Sequence, residues 1–103
     1  MVIWSKPAKT DLRSIHDFIA HDSRYYAKKV VQDIRERTDI LENLPRAGKE
    51  VTELSDENIR EIPLYSYRII YEIKNQAIFV LAVLHKRRNL IADEILQDET
   101  FNI

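Results

Sequence analysis

Apolar side chains recur with a helical period in the first half of the chain and a strand period in the second. Ala8, Leu12, Ile15 and Ile19 follow one another at steps of four, three and four. That spacing puts them on one face of a helix, with Lys9, Asp11, Arg13 and Asp17 on other faces. Ser5 stands ahead of the run as an N-cap, and Pro7 suits a first turn whose N–H groups are unbonded anyway. His21-Asp22-Ser23 interrupts the pattern, and Ser23 caps a second helix with the stripe Ala27, Val30, Val31, Ile34, Leu41 and Leu44. Pro45 and Gly48 stop it. Two amphipathic helices joined by a few residues predict an antiparallel hairpin with one apolar side.

The second half reads as sheet. Val51 to Leu54 alternates, residues 55–58 look like a loop, and residues 59–64 form a strand whose Pro63 suits an edge or a strand end. Tyr65-Ser66 turns the chain into a strand where Tyr67, Ile69, Tyr71 and Ile73 share one face and Arg68, Ile70 and Glu72 the other. Lys74-Asn75-Gln76 is a hairpin turn, and residues 77–85 are a continuous apolar strand that belongs in the middle of a sheet. With Val2-Ile3-Trp4 as a short leading strand, the expectation is a single α+β domain over residues 1–103. Its two-helix antiparallel hairpin packs on one face of an antiparallel sheet of about three to four strands. A short helix over residues 90–96 and a loose tail over 97–103 complete it.

Composition narrows the chemistry. A chain of 103 residues has room for one domain, and 45% hydrophobic with 32% charged residues is a globular balance. The absence of cysteine excludes disulfides, thiolate catalysis and Cys-based zinc sites, and fits a reducing cytoplasm. A single glycine excludes Gly-rich phosphate loops. His16, His21 and His85 have no metal-ligand spacing, so neither metal nor cofactor is expected. The longest apolar run, residues 77–84, is too short to cross a bilayer, and the opening residues lack the pattern of a signal peptide. A cytoplasmic protein with no membrane partner is the expectation.

With 16 Lys+Arg against 17 Asp+Glu, the net charge of −1 is unlike that of a protein coated in cations for nucleic acid. The neutral sum is nonetheless segregated. Residues 50–61 and residues 93–103 each carry −4, leaving +7 on the remainder. A nucleic-acid-associated target therefore stays open, but an RNA backbone beside residues 50–61 would be repelled.

One cluster could carry chemistry. Residues equidistant from the 74–76 turn face each other, so 65–68 lie beside 82–85. Arg68, Tyr65 and His85 then gather at one end of the sheet, with Lys49 approaching from the loop after the second helix. RNA cleavage needs a base for the ribose 2′-OH, cations for the phosphorane charge and an acid for the leaving oxygen, and these groups could supply them. The same residues have structural uses. Arg68 can stack on a ring or pair with a carboxylate such as Glu61 or Glu72, His85 can be a hydrogen-bonded residue at the core edge, and Lys86-Arg87-Arg88 can be a solvated loop. Spacing alone leaves both open.

Several short motifs, in order, resemble the RelE/ParE superfamily of bacterial toxins from type II toxin–antitoxin systems. They are Ile3-Trp4-Ser5, Ala8-x-x-Asp11-Leu12-x-x-Ile15, Ala27, Leu44-Pro45-x-x-Gly48, Arg60-Glu61, Tyr67-Arg68-Ile69-Ile70-Tyr71 and Val83-Leu84-His85-x-Arg87-Arg88. The resemblance implies a small toxin neutralised by a cognate antitoxin in a hetero-oligomeric complex. One branch, RelE-like, cuts mRNA on the ribosome without metal; the other, ParE-like, poisons DNA gyrase. Arg68 matches the strand arginine present in both branches, and His85 matches a slot where several nucleases hold a catalytic arginine or histidine. Lys86 stands where some nucleases carry a catalytic tyrosine, and no lysine cluster precedes Arg68. The Leu-His-x-Arg-Arg ending is more similar to the ParE branch. The resemblance thus implies gyrase inhibition through Lys86, Arg87 and Arg88. The alternatives are a ribosome-dependent mRNA endonuclease using Arg68, His85, Lys49 and Tyr65, and a degenerate, non-toxic antitoxin-binding protein.

Overall fold

The computed structural model describes residues 1–86. Arg87, Arg88, the expected helix over 90–96 and the tail over 97–103 lie outside the described residues. Strand β1 (Val2–Trp4) leads into helices α1 (Lys6–Ala20) and α2 (Arg24–Ile40), followed by β2 (Lys49–Glu50), β3 (Ile59–Leu64), β4 (Tyr67–Lys74) and β5 (Ala77–His85). Both predicted caps are made: Ser5 Oγ accepts from the Ala8 N–H and Ser23 Oγ from the Tyr26 N–H. The second helix ends at Ile40, one turn earlier than the stripe suggested, and Leu44 is left exposed.

The sheet has five strands in the order β1-β5-β4-β3-β2, and it is mixed. An all-antiparallel sheet of three to four strands was expected. The two additions are the short edges: β1 pairs parallel with β5, Trp4 opposite Val80, and β2 pairs antiparallel with β3, Lys49 opposite Glu61. A three-residue strand has no period long enough to announce its partner, and residues 51–54, whose alternation looked strand-like, follow β2 as a loop that buries Val51.

Both faces carry a core. On the helix side Trp4, Ala8, Leu12, Ile34 and Leu41 pack against Ile69, Tyr71, Ile78, Val80 and Val83. On the other, Ile3, Val51 and Ile59 join Ile70, Phe79, Leu81, Ala82 and Leu84. A β-bulge between Ile70 and Tyr71 sends Leu81 and Ala82 to the same face, because Tyr71 pairs with Val80 and Ile70 with Ala82.

Past Trp4 the outer edge of β5 has lost its strand partner, and the start of α1 takes over its hydrogen bonds. The Ser5 N–H donates to the Val80 carbonyl at 3.0 Å, Ser5 Oγ to the Leu81 carbonyl at 3.1 Å, and the Val83 N–H to Asp11 Oδ2 at 3.0 Å. Backbone groups that would be orphaned at a buried edge are thereby satisfied. In Ala8-x-x-Asp11-Leu12, Ala8 and Leu12 pack on the sheet while Asp11 holds its edge.

The hairpin turn between β4 and β5 places both Asn75 (φ 52°) and Gln76 (φ 61°) in the left-handed region, as a two-residue type I′ turn requires. Asparagine tolerates this; glutamine does so at a cost of about 1 kcal/mol. Gln76→Gly is therefore expected to stabilise the fold by about 1 kcal/mol, read as a rise of roughly 4–8 °C in thermal midpoint.

Candidate functional site

On the face away from the helices, β2, β3, β4 and the end of β5 line a cleft of about 430 Å³. Cross-strand register sets its contents. Lys49 lies opposite Glu61, Pro63 opposite Arg68, and Arg68 opposite Leu84, so these side chains share one face. Thr52 and Glu53 close one wall from the loop after β2, and Lys86 stands at the other. The Lys86 backbone N–H is fixed by the Ser66 carbonyl at 2.8 Å.

Arg68 is 8% exposed and is clasped by two carboxylates. Its Nε and Nη2 donate to Glu61 at 3.3 and 2.6 Å, and its Nη1 and Nη2 donate to Glu53, each at 2.9 Å. These are bidentate, charge-assisted bonds, and they take four of the five donors a guanidinium possesses. The hydrogen bonds that the guanidinium donates to Glu53, seconded by those to Glu61, hold its pKa above the ordinary value in spite of burial. Glu61 is one of the structural partners that strand spacing suggests. Glu53 is not legible that way, because it reaches Arg68 from an irregular loop.

The other candidates lie elsewhere. His85 pairs with Tyr67, one position out of phase with Arg68, and packs edge-on against the Tyr67 ring at 6.3 Å between centroids. Tyr67 packs against the helix-side core, so His85 and Arg68 are on opposite faces of the sheet. Tyr65 also faces the helices: its hydroxyl donates to Asp33 of α2, and that bond raises its pKa above the ordinary value. A phenol so held is further from serving as a base. Of the four residues grouped for RNA cleavage, Arg68 and Lys49 share the cleft, while His85 and Tyr65 do not. Lys86, expected to contact a target, lies in the cleft with them. Among the described residues no three His, Asp or Glu side chains gather to hold a metal ion.

Beneath the cleft, the Gly48 N–H donates to the Tyr71 hydroxyl at 2.9 Å, and that hydroxyl donates to the Pro45 carbonyl at 2.7 Å. The Gly48 carbonyl accepts from Arg60 Nη1 at 2.8 Å. Leu44-Pro45-x-x-Gly48 is therefore a knot tied around a fully buried tyrosine, which sets where Lys49 enters the cleft.

This architecture is that of small bacterial toxins. It superposes on a chain of the chromosomal ParDE toxin–antitoxin system of P. aeruginosa with a TM-score of 0.68 at 23% identity, over 82% of this chain and 92% of that one. The isolated RelE toxin of E. coli matches with a TM-score of 0.60 at 17% identity, over 94% and 95% of the two chains. Comparison with curated proteins gives no significant match. The family model for the ParE toxin of the type II parDE toxin–antitoxin system matches residues 2–90, and the chain belongs to that family.

Proposed function

We propose that this toxin acts by binding and disabling DNA gyrase, and that a cognate antitoxin neutralises it in a hetero-oligomeric complex. The observation that carries the reading is the double carboxylate clasp on Arg68. A message-cutting site needs an unshielded cation at the scissile phosphate, with a base and an acid in reach. Here a phosphate entering the cleft would meet Glu53 and Glu61 around that cation, while His85 and Tyr65 are turned to the other face. Lys49 and Lys86 at the rim suit an acidic protein surface. Lys86 with Arg87 and Arg88 is the segment we assign to the target. The antitoxin is supported by family membership and by the ParDE system among the structural neighbours.

Purified toxin added to gyrase is expected to lower its supercoiling of relaxed plasmid, with message on translating ribosomes left intact. Reversing Lys86, Arg87 and Arg88 to glutamate should weaken the inhibition by at least about tenfold, the scale of one lost charge-pair energy. Cleavage of ribosome-bound message that vanishes in a folded Arg68 variant would overturn the assignment in favour of an endonuclease.

A further inference from the structure

Among the described residues, the large apolar or aromatic side chains left exposed collect at the two ends of the molecule. Met1, whose carbonyl accepts from the Ile78 N–H, and Ile40 with Leu44 lie at the end that holds the β4–β5 turn. Phe18, Tyr25, Tyr26 and Tyr65 lie at the other. That second end is built by helices that outrun the sheet.

Hydrogen bonds set the alignment. Ser5 bonds Val80 and Leu81, and Asp11 bonds Val83, so α1 runs alongside β5 in the same direction. Phe18 follows Asp11 by seven residues, nearly two turns, and so lies on the same side of the helix about 10 Å further on. Lys86 is three residues past Val83, also about 10 Å. Phe18 is therefore level with the end of β5, and it is 78% exposed. The returning helix repeats this on its own flank. Asp33 bonds the Tyr65 hydroxyl, and Tyr26, seven residues earlier, is on the same side of α2 about 10 Å nearer the tip and 60% exposed. The bond from the Lys86 N–H to the Ser66 carbonyl ties the turn that carries Tyr65 to the exit of β5.

Two of these rings are held in place. Tyr65 is fixed by Asp33, and Tyr26 meets Tyr25 edge-on with 5.9 Å between centroids. Tyrosines so restrained give up little entropy when a partner covers them. Lys29, 3.7 Å from Asp33, and Lys86 are the cations beside them. Asp33, the acid on this side of α2, is already shared between Tyr65 and Lys29.

We propose that this aromatic end is the surface that grips gyrase. Phe18 and Tyr26 anchor in an apolar pocket of the enzyme, and Lys29 and Lys86 face carboxylates at its rim. The proposal rests on the reading of this protein as a gyrase inhibitor, and it extends the target contact from Lys86 to the tip of the helical hairpin. Binding energy concentrates on aromatic residues, with tyrosine enriched and leucine under-represented, so the aliphatic end with Ile40 and Leu44 is the poorer candidate. A DNA duplex would need a track of cations, and two lysines do not make one. A second copy of this chain, paired about a two-fold axis, would set this lysine-bearing surface against itself.

The test titrates the intact toxin into purified gyrase, reading binding by biolayer interferometry and supercoiling of relaxed plasmid. Phe18→Ser with Tyr26→Ser is expected to raise the dissociation constant and the half-inhibitory concentration together, on the order of 100-fold. Ile40→Ser with Leu44→Ser, at the opposite end, should change either by less than about threefold. Both variants should melt within a few degrees of the parent, because all four side chains are exposed. Undiminished inhibition by the Phe18→Ser, Tyr26→Ser variant would sink the surface and leave gyrase as the target. A parent toxin that neither binds nor inhibits gyrase would sink both. Two further outcomes would overturn the proposal: a labelled DNA duplex retained by the parent and released by that variant, and a toxin dimer that the same variant dissociates.

Discussion

Gly48→Ala is expected to cost about 3 kcal/mol, which for a domain of this size lowers the thermal midpoint by roughly 12–24 °C. A Cβ at this position would lie 2.5 Å from the Glu61 carbonyl oxygen and 2.6 Å from the Tyr71 hydroxyl. The first obstacle is backbone in the middle of a ladder and cannot swing aside. The second is a fully buried ring whose hydroxyl is spoken for at both ends, accepting from the Gly48 N–H and donating to the Pro45 carbonyl. Relief would require β2 to part from β3 or Tyr71 to give up both bonds, and each buried group left unpaired adds about 1–3 kcal/mol. Tyr71→Phe separates the two components: it keeps the packing and removes only the hydroxyl, so its cost should be smaller than that of Gly48→Ala. Denaturant unfolding of the two variants checks this. A Gly48→Ala protein as stable as the parent would mean that the knot beneath the cleft is not rigid.

The second large effect concerns Arg68. Removing one member of a buried, hydrogen-bonded charge cluster typically costs about 3–5 kcal/mol, because the remaining charges stay buried without compensation. Arg68→Ala is expected to fall in that range and to lose toxicity through loss of fold. Its stability should also acquire a pH dependence. With the guanidinium gone, Glu53 and Glu61 face each other, so the folded variant holds protons more tightly than the unfolded chain. Stability then declines as pH rises from about 4 towards 7. Replacing the whole cluster, as Arg68→Met with Glu53→Gln and Glu61→Gln, should recover most of the loss. That triple variant is the discriminating one. If it folds and matches the parent in the proposed gyrase assay, Arg68 is a clamp that pins the loop after β2 to the sheet; if it folds and the parent's effect is lost, Arg68 acts on the target directly.

The helices were legible because their signals are local. Ser5 and Ser23 cap them, and apolar steps of three and four fix their buried faces. The β4–β5 hairpin was legible for a similar reason, since a turn and two long apolar strands determine each other. What the sequence could not convey is pairing between distant short segments. Nothing in Val2-Ile3-Trp4 names residues 78–80 as its neighbours, and nothing in Lys49-Glu50 names residues 60–61. The site was half legible. Alternation along β4 already puts residues 67 and 68 on opposite faces, so grouping Arg68 with His85 by position along the strand overlooked which way each points. Glu53 needed the loop fold, which depends on Val51 being drawn into the core. The family resemblance supplied what periodicity could not: it tied scattered pairs of residues to one family, whose model matches residues 2–90.

The parallel pairing of β1 with β5, and the hydrogen bond from Ser5 to a residue 76 positions away, also govern when the protein can exist. Contacts of such long sequence separation raise the contact order, and the loop they close must be paid for before they reward it. During synthesis the helical hairpin emerges early, yet the sheet it lies on is completed by the last described strand. At ribosomal rates of about 5–20 residues per second, the hairpin waits several seconds for residues 77–85. A chain released before that point carries two amphipathic helices with nothing to cover their apolar sides. The described fold is therefore gained only once β5 has been made, and a chain broken off before it is material for proteases.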